Sequence, residues 1–140
     1  MTTSAPQVIE MAFDLAKPPA TVWRALTEPA LLAKWVMPND IVAVVGHAFT
    51  FRSEPQPGWD GIIQSTVLEV VPHEKLAYTW VSGGIDTVVT WSLAPTPDGG
   101  TRLQLSHAGF QPSQGQAAAG ANWGWKKFGA TLAEVLATLG

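Results

Sequence analysis

The groups able to do chemistry in this chain are few and widely spaced. Three histidines, His47, His73 and His107, are scattered through 140 residues, with a single tyrosine, Tyr78, and no cysteine. A zinc site needs three or four converging ligands, so no metal and no other cofactor is expected. The patterns GxSxG, HExxH, GxGxxG opening a helix and the phosphate-binding loop are all missing, which removes nucleophile-elbow, zinc-protease, dinucleotide and P-loop chemistry. His107 is the titratable residue of most interest. It follows Leu103 and Leu105 at a period of two, so if those leucines face the interior the imidazole does too. There it could act as acid or base beside a ligand, or serve as a structural cap bonded to the turn at Ala108–Phe110; the structural role is preferred, because an imidazole near neutrality proves nothing alone. Glu69 is expected on a solvated strand face, paired with Arg102 or Lys75. Tyr78 and Trp80 share a face with Leu76 and suit either a cavity wall or plain core.

The elements that must hold these residues follow from period and punctuation. Val8 to Leu15 alternates as a strand. The stretch "KPPATVWRALTEPALLAKWVMP" then changes to helical spacing, with two prolines suited to a first turn, a break at Glu28 before Pro29, and an end before Pro38. Six strands are expected next: 41–45, 47–52, 61–71, 75–81, 85–94 and 101–107. Turn clusters such as "EPQPGWDG", "SGG" and "PTPDGG" separate them, which argues for an antiparallel meander. Trp59 sits in the first of these turns, where an indole folds back over the mouth of an internal cavity, meets a second subunit or stays exposed.

The last helix is expected from near Gln114, because Ser113 with Gln116 fits a capping box. Trp123 and Trp125 point about 200° apart on such a helix and cannot share one core. Ala118, Ala121, Trp125, Phe128, Gly129, Leu132, Leu136 and Leu139 form one apolar stripe, so Trp125 faces the sheet and Trp123 lies nearly opposite.

Composition bounds the rest. A chain that is 46% hydrophobic and 14% charged is able to build its own core, and residues 1–140 are read as one domain. With a net charge of -3 and eight Lys plus Arg there is no footprint for nucleic acid or an anionic membrane surface, and neither partner is expected. The lack of cysteine fits a reducing compartment. Together with the absence of a basic, apolar leader at the first residues, it makes the cytoplasm the expected location.

In family order, "PPATVWRALTEPALLAKWVMP", "GHAFTFR", "VLEVVPHEKLAYTW", "TVVTWSLAP", "GGTRLQLSHAGF" and a terminal "GW" followed by spaced leucines span nearly the whole chain. The ordered set resembles the START-like helix-grip (SRPBCC) superfamily, in the branch resembling the C-terminal domain of the activator of Hsp90 ATPase. The resemblance implies an α+β, Bet v-like fold of order β-α-α-β6-α, with a twisted antiparallel sheet wrapped around a long C-terminal helix. It departs at Gly129, where family members commonly carry a bulky apolar residue four positions after the helix tryptophan.

A curved sheet and a straight helix touch along only part of their length, so a cavity is expected between them. The expected occupant is an apolar or aromatic small molecule. The expected lining is Trp35, Phe49, Phe51, Tyr78, Trp80, Trp91, His107, Ala121, Trp125, Phe128 and Gly129, with Arg52 as a further polar group. Two alternatives stand beside this reading: a cyclase or hydrolase acting on an aromatic or polyketide-like substrate in the same cavity, and a protein-interaction module resembling a chaperone co-factor. A homodimer is kept open. No catalytic residue is assigned.

Overall fold

In the computed structural model, which describes residues 7–57 and 59–139, alternating apolar residues build a curved sheet and one apolar helix stripe lies along it. The elements run β1 (Gln7–Leu15), α1 (Pro19–Thr27), α2 (Pro29–Trp35), β2 (Ala48–Arg52), β3 (Ile62–Val71), β4 (Lys75–Ser82), β5 (Ile85–Pro95), β6 (Thr101–Phe110), a 3₁₀ turn (Pro112–Gln114) and α3 (Gly115–Ala137). The six strands are antiparallel in the order β1-β6-β5-β4-β3-β2. Register shifts in β1 and β3 help the sheet bend.

Local chemistry explains the two short helices. Pro19 and Pro29 occupy their first turns, where a missing N–H costs nothing, and Glu28 between them is extended, as the residue before proline should be. The Trp35 indole N–H donates to the Ala25 carbonyl at 2.9 Å and ties α2 back to α1. Thr101, fully buried, donates its hydroxyl to the Lys17 carbonyl at 2.7 Å and holds the turn into α1 against the start of β6.

Three local expectations differ from the structure. Residues 41–45 form no strand: Val42, Val44 and Val45 are exposed, and the nearest ladder bond is an isolated bridge from Asn39 to Phe51. Strand propensity measures fit to a pleated, half-buried surface, and after Asn39 the chain leaves the outer edge of β2, so these valines meet none. The cap of the last helical region is also placed differently. Gln111 and Gln114 form the reciprocal box, with Gln111 N–H donating to the Gln114 side chain at 2.8 Å, and Ser113 is not the capping residue. Finally, β6 runs on to Phe110, beyond His107.

The inward row Val67, Tyr78, Val89, His107 and Ile9 crosses five strands in register. Along α3 the buried residues are Ala118, Trp125, Gly129, Leu132, Val135 and Leu136, while Trp123 is 66% exposed. Glu69 pairs with Lys75 at 3.1 Å, and Arg102 pairs with Asp14 instead, both on the solvated face. No helix among the described residues is long and apolar enough to cross a membrane.

Because one cluster of buried side chains joins all six strands to the three helices, unfolding is expected as one transition. Tryptophan fluorescence and far-UV circular dichroism should give coincident curves, unchanged by EDTA. Two separated transitions would contradict a single core.

Candidate functional site

Aromatic rings fill most of the space between sheet and helix. Trp35 meets Trp91 at 5.6 Å between centroids, Trp91 meets Trp125 at 5.4 Å, Trp125 meets Trp80 at 5.3 Å, and Trp80 meets Phe51 at 5.1 Å. Phe49 continues the series, at 5.3 Å from both Phe51 and Tyr78. Most of these pairs are edge-to-face or tilted, the arrangement that a ring quadrupole favours. Burial pushes the Tyr78 phenol up, and the Trp91 indole N–H, donating to its oxygen at 3.0 Å, pulls the other way without reversing it.

What stays open is a cleft of about 300 Å³ at the end of the interface where α3 begins. Trp80, Ile63 and Ile85 form its sheet wall, Phe110 and His107 its floor, and Ala117 and Ala121 its helix wall. Trp59, Ser82 and Gly83 stand at its rim. The short side chains of α3 leave this space open, whereas Leu132 and Leu136 are buried further on, where a smaller hollow of about 220 Å³ lies between the end of β1 and Ala133, Leu136 and Ala137.

The expected lining residues therefore separate. Trp80, His107 and Ala121 border the cleft. Trp35, Phe49, Phe51, Tyr78, Trp91 and Trp125 are buried in the aromatic core beside it, and Phe128 packs on Trp125 at 5.7 Å. Gly129 lies under the ring of Phe13, away from the cleft. Arg52 is exposed, on the strand face opposite Phe51. Ile63 and Ile85 were readable only as strand residues, and Phe110 and "SGG" only as parts of turns, because a local pattern assigns a face without saying which part of it is left uncovered.

His107 is fully buried, and its bonds fix its chemical form. The Trp125 indole N–H, which can only donate, points at Nδ1 from 2.9 Å. Nδ1 is therefore bare and the neutral ring carries its proton on Nε2, which donates to Thr87 Oγ1 at 2.7 Å. The Thr87 hydroxyl in turn donates to the Trp80 carbonyl at 2.9 Å. Both ring nitrogens are thus used, and neither reaches the turn at Ala108–Phe110 that the sequence suggested as partner. Burial pulls the imidazole down to about 4. An imidazolium would place an N–H against the indole N–H.

The same wiring bears on catalysis. A hydroxyl nucleophile activated by histidine needs Nε2 bare and Nδ1–H held by an acceptor such as a carboxylate. Here the third group is a donor, so the proton sits on the nitrogen that faces the hydroxyl. Among the described residues, no cluster of His, Asp and Glu converges as a metal site would require.

Against known proteins, residues 16–137 match the family model described as Activator of Hsp90 ATPase homolog 1-like protein. No curated protein matches the chain by sequence. Among solved structures, protein MLL2253 from Mesorhizobium loti is similar with 35% identity and a TM-score of 0.89, over 96% of this chain and 99% of that one. CalU16 from Micromonospora echinospora shares the fold at 22% identity and a TM-score of 0.78, over 95% and 78%. The Aha1 dimer from Colwellia psychrerythraea does so at 19% and 0.79, over 93% and 96%. With its helix-grip architecture and a model match over most of its length, the chain belongs to the Activator of Hsp90 ATPase homolog 1-like family.

Proposed function

We propose that the protein binds a neutral aromatic or otherwise apolar small molecule in the cleft between the sheet and the start of α3. The observation that carries this is the chemistry of the wall. Trp59, Trp80, Phe110, Ile63 and Ile85 supply apolar surface, and among the described residues no charged side chain borders the space. The polar groups at hand, His107 and Ser82, already have partners within the protein. A ligand charge would be desolvated there with nothing to pair with, which disfavours ions. An apolar cavity of roughly 150 Å³ admits benzene, so a cleft of about twice that size suits a fused two-ring system. Family membership and the shared fold of CalU16 fit a ligand-binding or cyclase-like role. Binding is favoured over turnover because the imidazole at the cleft has its proton on the wrong nitrogen for a base acting on Thr87.

Phenylnaphthylamine, a neutral fluorescent probe, should bind and outcompete the anionic anilinonaphthalene sulfonate. Ala121→Leu, which adds side chain inside the cleft, should weaken phenylnaphthylamine by about tenfold or more, equivalent to at least about 1.4 kcal/mol, while leaving the melting temperature unchanged or higher. A stable Ala121→Leu variant that binds the probe like the parent would remove the cleft as the site.

A second reading, a homodimer through the outer face of α3, is favoured by one observation. Trp123 is 66% exposed there, with the Lys127 ammonium 5.2 Å from its ring centroid, and a partner surface would cover the indole. Sedimentation of the parent and of Trp123→Ser at equal concentration tests it; equal masses would remove it.

A further inference from the structure

In the loop from β2 to β3, Trp59 is the hydrophobic residue among those described that packs against the core. The loop's described residues Ser53 to Pro57 and Asp60 are exposed, whereas Trp59 is half-buried. Backbone bonds make the loop a small unit of its own. Gln56 and Trp59 exchange N–H···O bonds of 2.9 and 2.8 Å, and Ser53 N–H donates to the Gly61 carbonyl at 2.7 Å to close the base. Gly61 has φ +79, and a Cβ there would strike the Ser53 carbonyl oxygen, so the base closes only with glycine. Pro55 and Pro57 fix φ on one arm and keep it stiff.

Among the described residues 54–60, one hydrogen bond reaches a strand other than the adjoining β3. The Trp59 indole N–H donates to Ser82 Oγ at 2.6 Å. Ser82 donates its own proton to the Ile62 carbonyl at 3.0 Å, which leaves an oxygen lone pair facing the indole. The indole thus stands at the cleft rim by one polar tether and one apolar face. Both are replaceable: water can take the N–H of a half-exposed indole, and an aromatic ligand can take its ring face.

Resting on the reading of the cleft as a ligand site, we propose that Trp59 is its movable wall and sets the length of ligand accepted. A two-ring ligand fits behind the indole. A longer one displaces it, and the Trp59 indole swings away from Ser82.

Naphthol as the short probe and phenylnaphthylamine as the long one test this on the parent, Ser82→Ala and Trp59→Leu, with the indole N–H resonances followed by NMR and release rates by stopped flow. Trp59→Leu identifies the Trp59 resonance. In the parent that resonance should keep its bonded position with naphthol and move towards that of a solvent-exposed indole with phenylnaphthylamine. Ser82→Ala should speed naphthol release about fivefold, the factor that one net hydrogen bond represents. Trp59→Leu, which removes the wall and its tether together, should erase the difference in release rate between the two probes. If both probes bind but the Trp59 resonance is the same in the two complexes, the movable wall is overturned and the cleft stands. Release rates from Ser82→Ala within about twofold of the parent would overturn it equally. If neither probe binds the parent, the cleft reading fails and the wall with it.

Discussion

Between pH 6.5 and about 4, the unfolding free energy of the parent should fall by about 3 kcal/mol more than that of a His107→Gln variant. The sign follows from where the protons go. In the folded protein His107 stays neutral down to about 4, while in the unfolded chain it takes up a proton near 6.5, so the unfolded state binds more protons throughout that window. Stability therefore rises with pH across it: the contribution is complete above 6.5 and is lost as pH falls through about 4. Glutamine is the useful control because its carbonyl can accept the Trp125 indole N–H and its amide can donate to Thr87, preserving both bonds without a titrating group. At neutral pH the variant should be weaker by roughly 1 kcal/mol, the scale of one imperfect hydrogen bond. The groups facing the ring are Thr87, Trp80, Phe110 and Trp125, none of which titrates in this range. Denaturant melts at several pH values give the comparison, and parallel profiles for the two proteins would show that the imidazole is not held neutral by its site.

The order of elements was legible because each boundary has a local cause. Pro19 and Pro29 open the short helices, turn clusters end most of the strands, and one apolar stripe marks the face of α3. The parity that placed His107 inward from Leu103 and Leu105 needed only the two-residue period of a strand. The expected strand over 41–45 failed for a reason no local pattern contains: all five residues are apolar, but the chain makes its bridge to β2 earlier, at Asn39, and then leaves the sheet with Ile41 buried and Val42, Val44 and Val45 exposed. The same limit applies to the site. Sequence places Trp35, Trp80, Trp91 and Trp125 on inner faces, yet whether four indoles leave a cavity or fill it is a question of volume across elements that are far apart in the chain. The partners of His107 were equally hidden, since Thr87 and Trp125 meet it only through the pairing of β5 with β6 and the rotation of α3. Trp59 was singled out as an aromatic with nothing local to bury against, and the structure gives it Ser82 and the cleft rim.

Gly129→Leu should destabilise the protein by about 1–3 kcal/mol, even though leucine is the better helix former by up to about 1 kcal/mol. A Cβ built on Gly129 falls on the Cε1 atom of Phe13, with Cζ at 2.7 Å and Cδ1 at 2.8 Å, and such pairs of carbons rest at roughly 3.5–4.0 Å. One whole edge of the ring is in the way, so no small rotation of a flexible tip relieves it. Phe13 comes from β1, opposite Leu103 of β6, and its ring seats on α3 because position 129 has no side chain. The missing bulky residue is thus matched by an aromatic supplied from the sheet. Phe13→Ala isolates this exchange. In that background the clash is gone and a vacated volume lies beside position 129, so adding Gly129→Leu should raise stability where it lowered it in the parent. Thermal or urea melts of the four proteins give the coupling between the two sites, expected at about 1–3 kcal/mol for residues in direct contact. Because position 129 does not border the cleft, a folded Gly129→Leu variant should also bind phenylnaphthylamine as the parent does. A variant more stable than the parent, or one that has lost the probe while remaining folded, would mean that the space beside Gly129 is open and belongs to the ligand site.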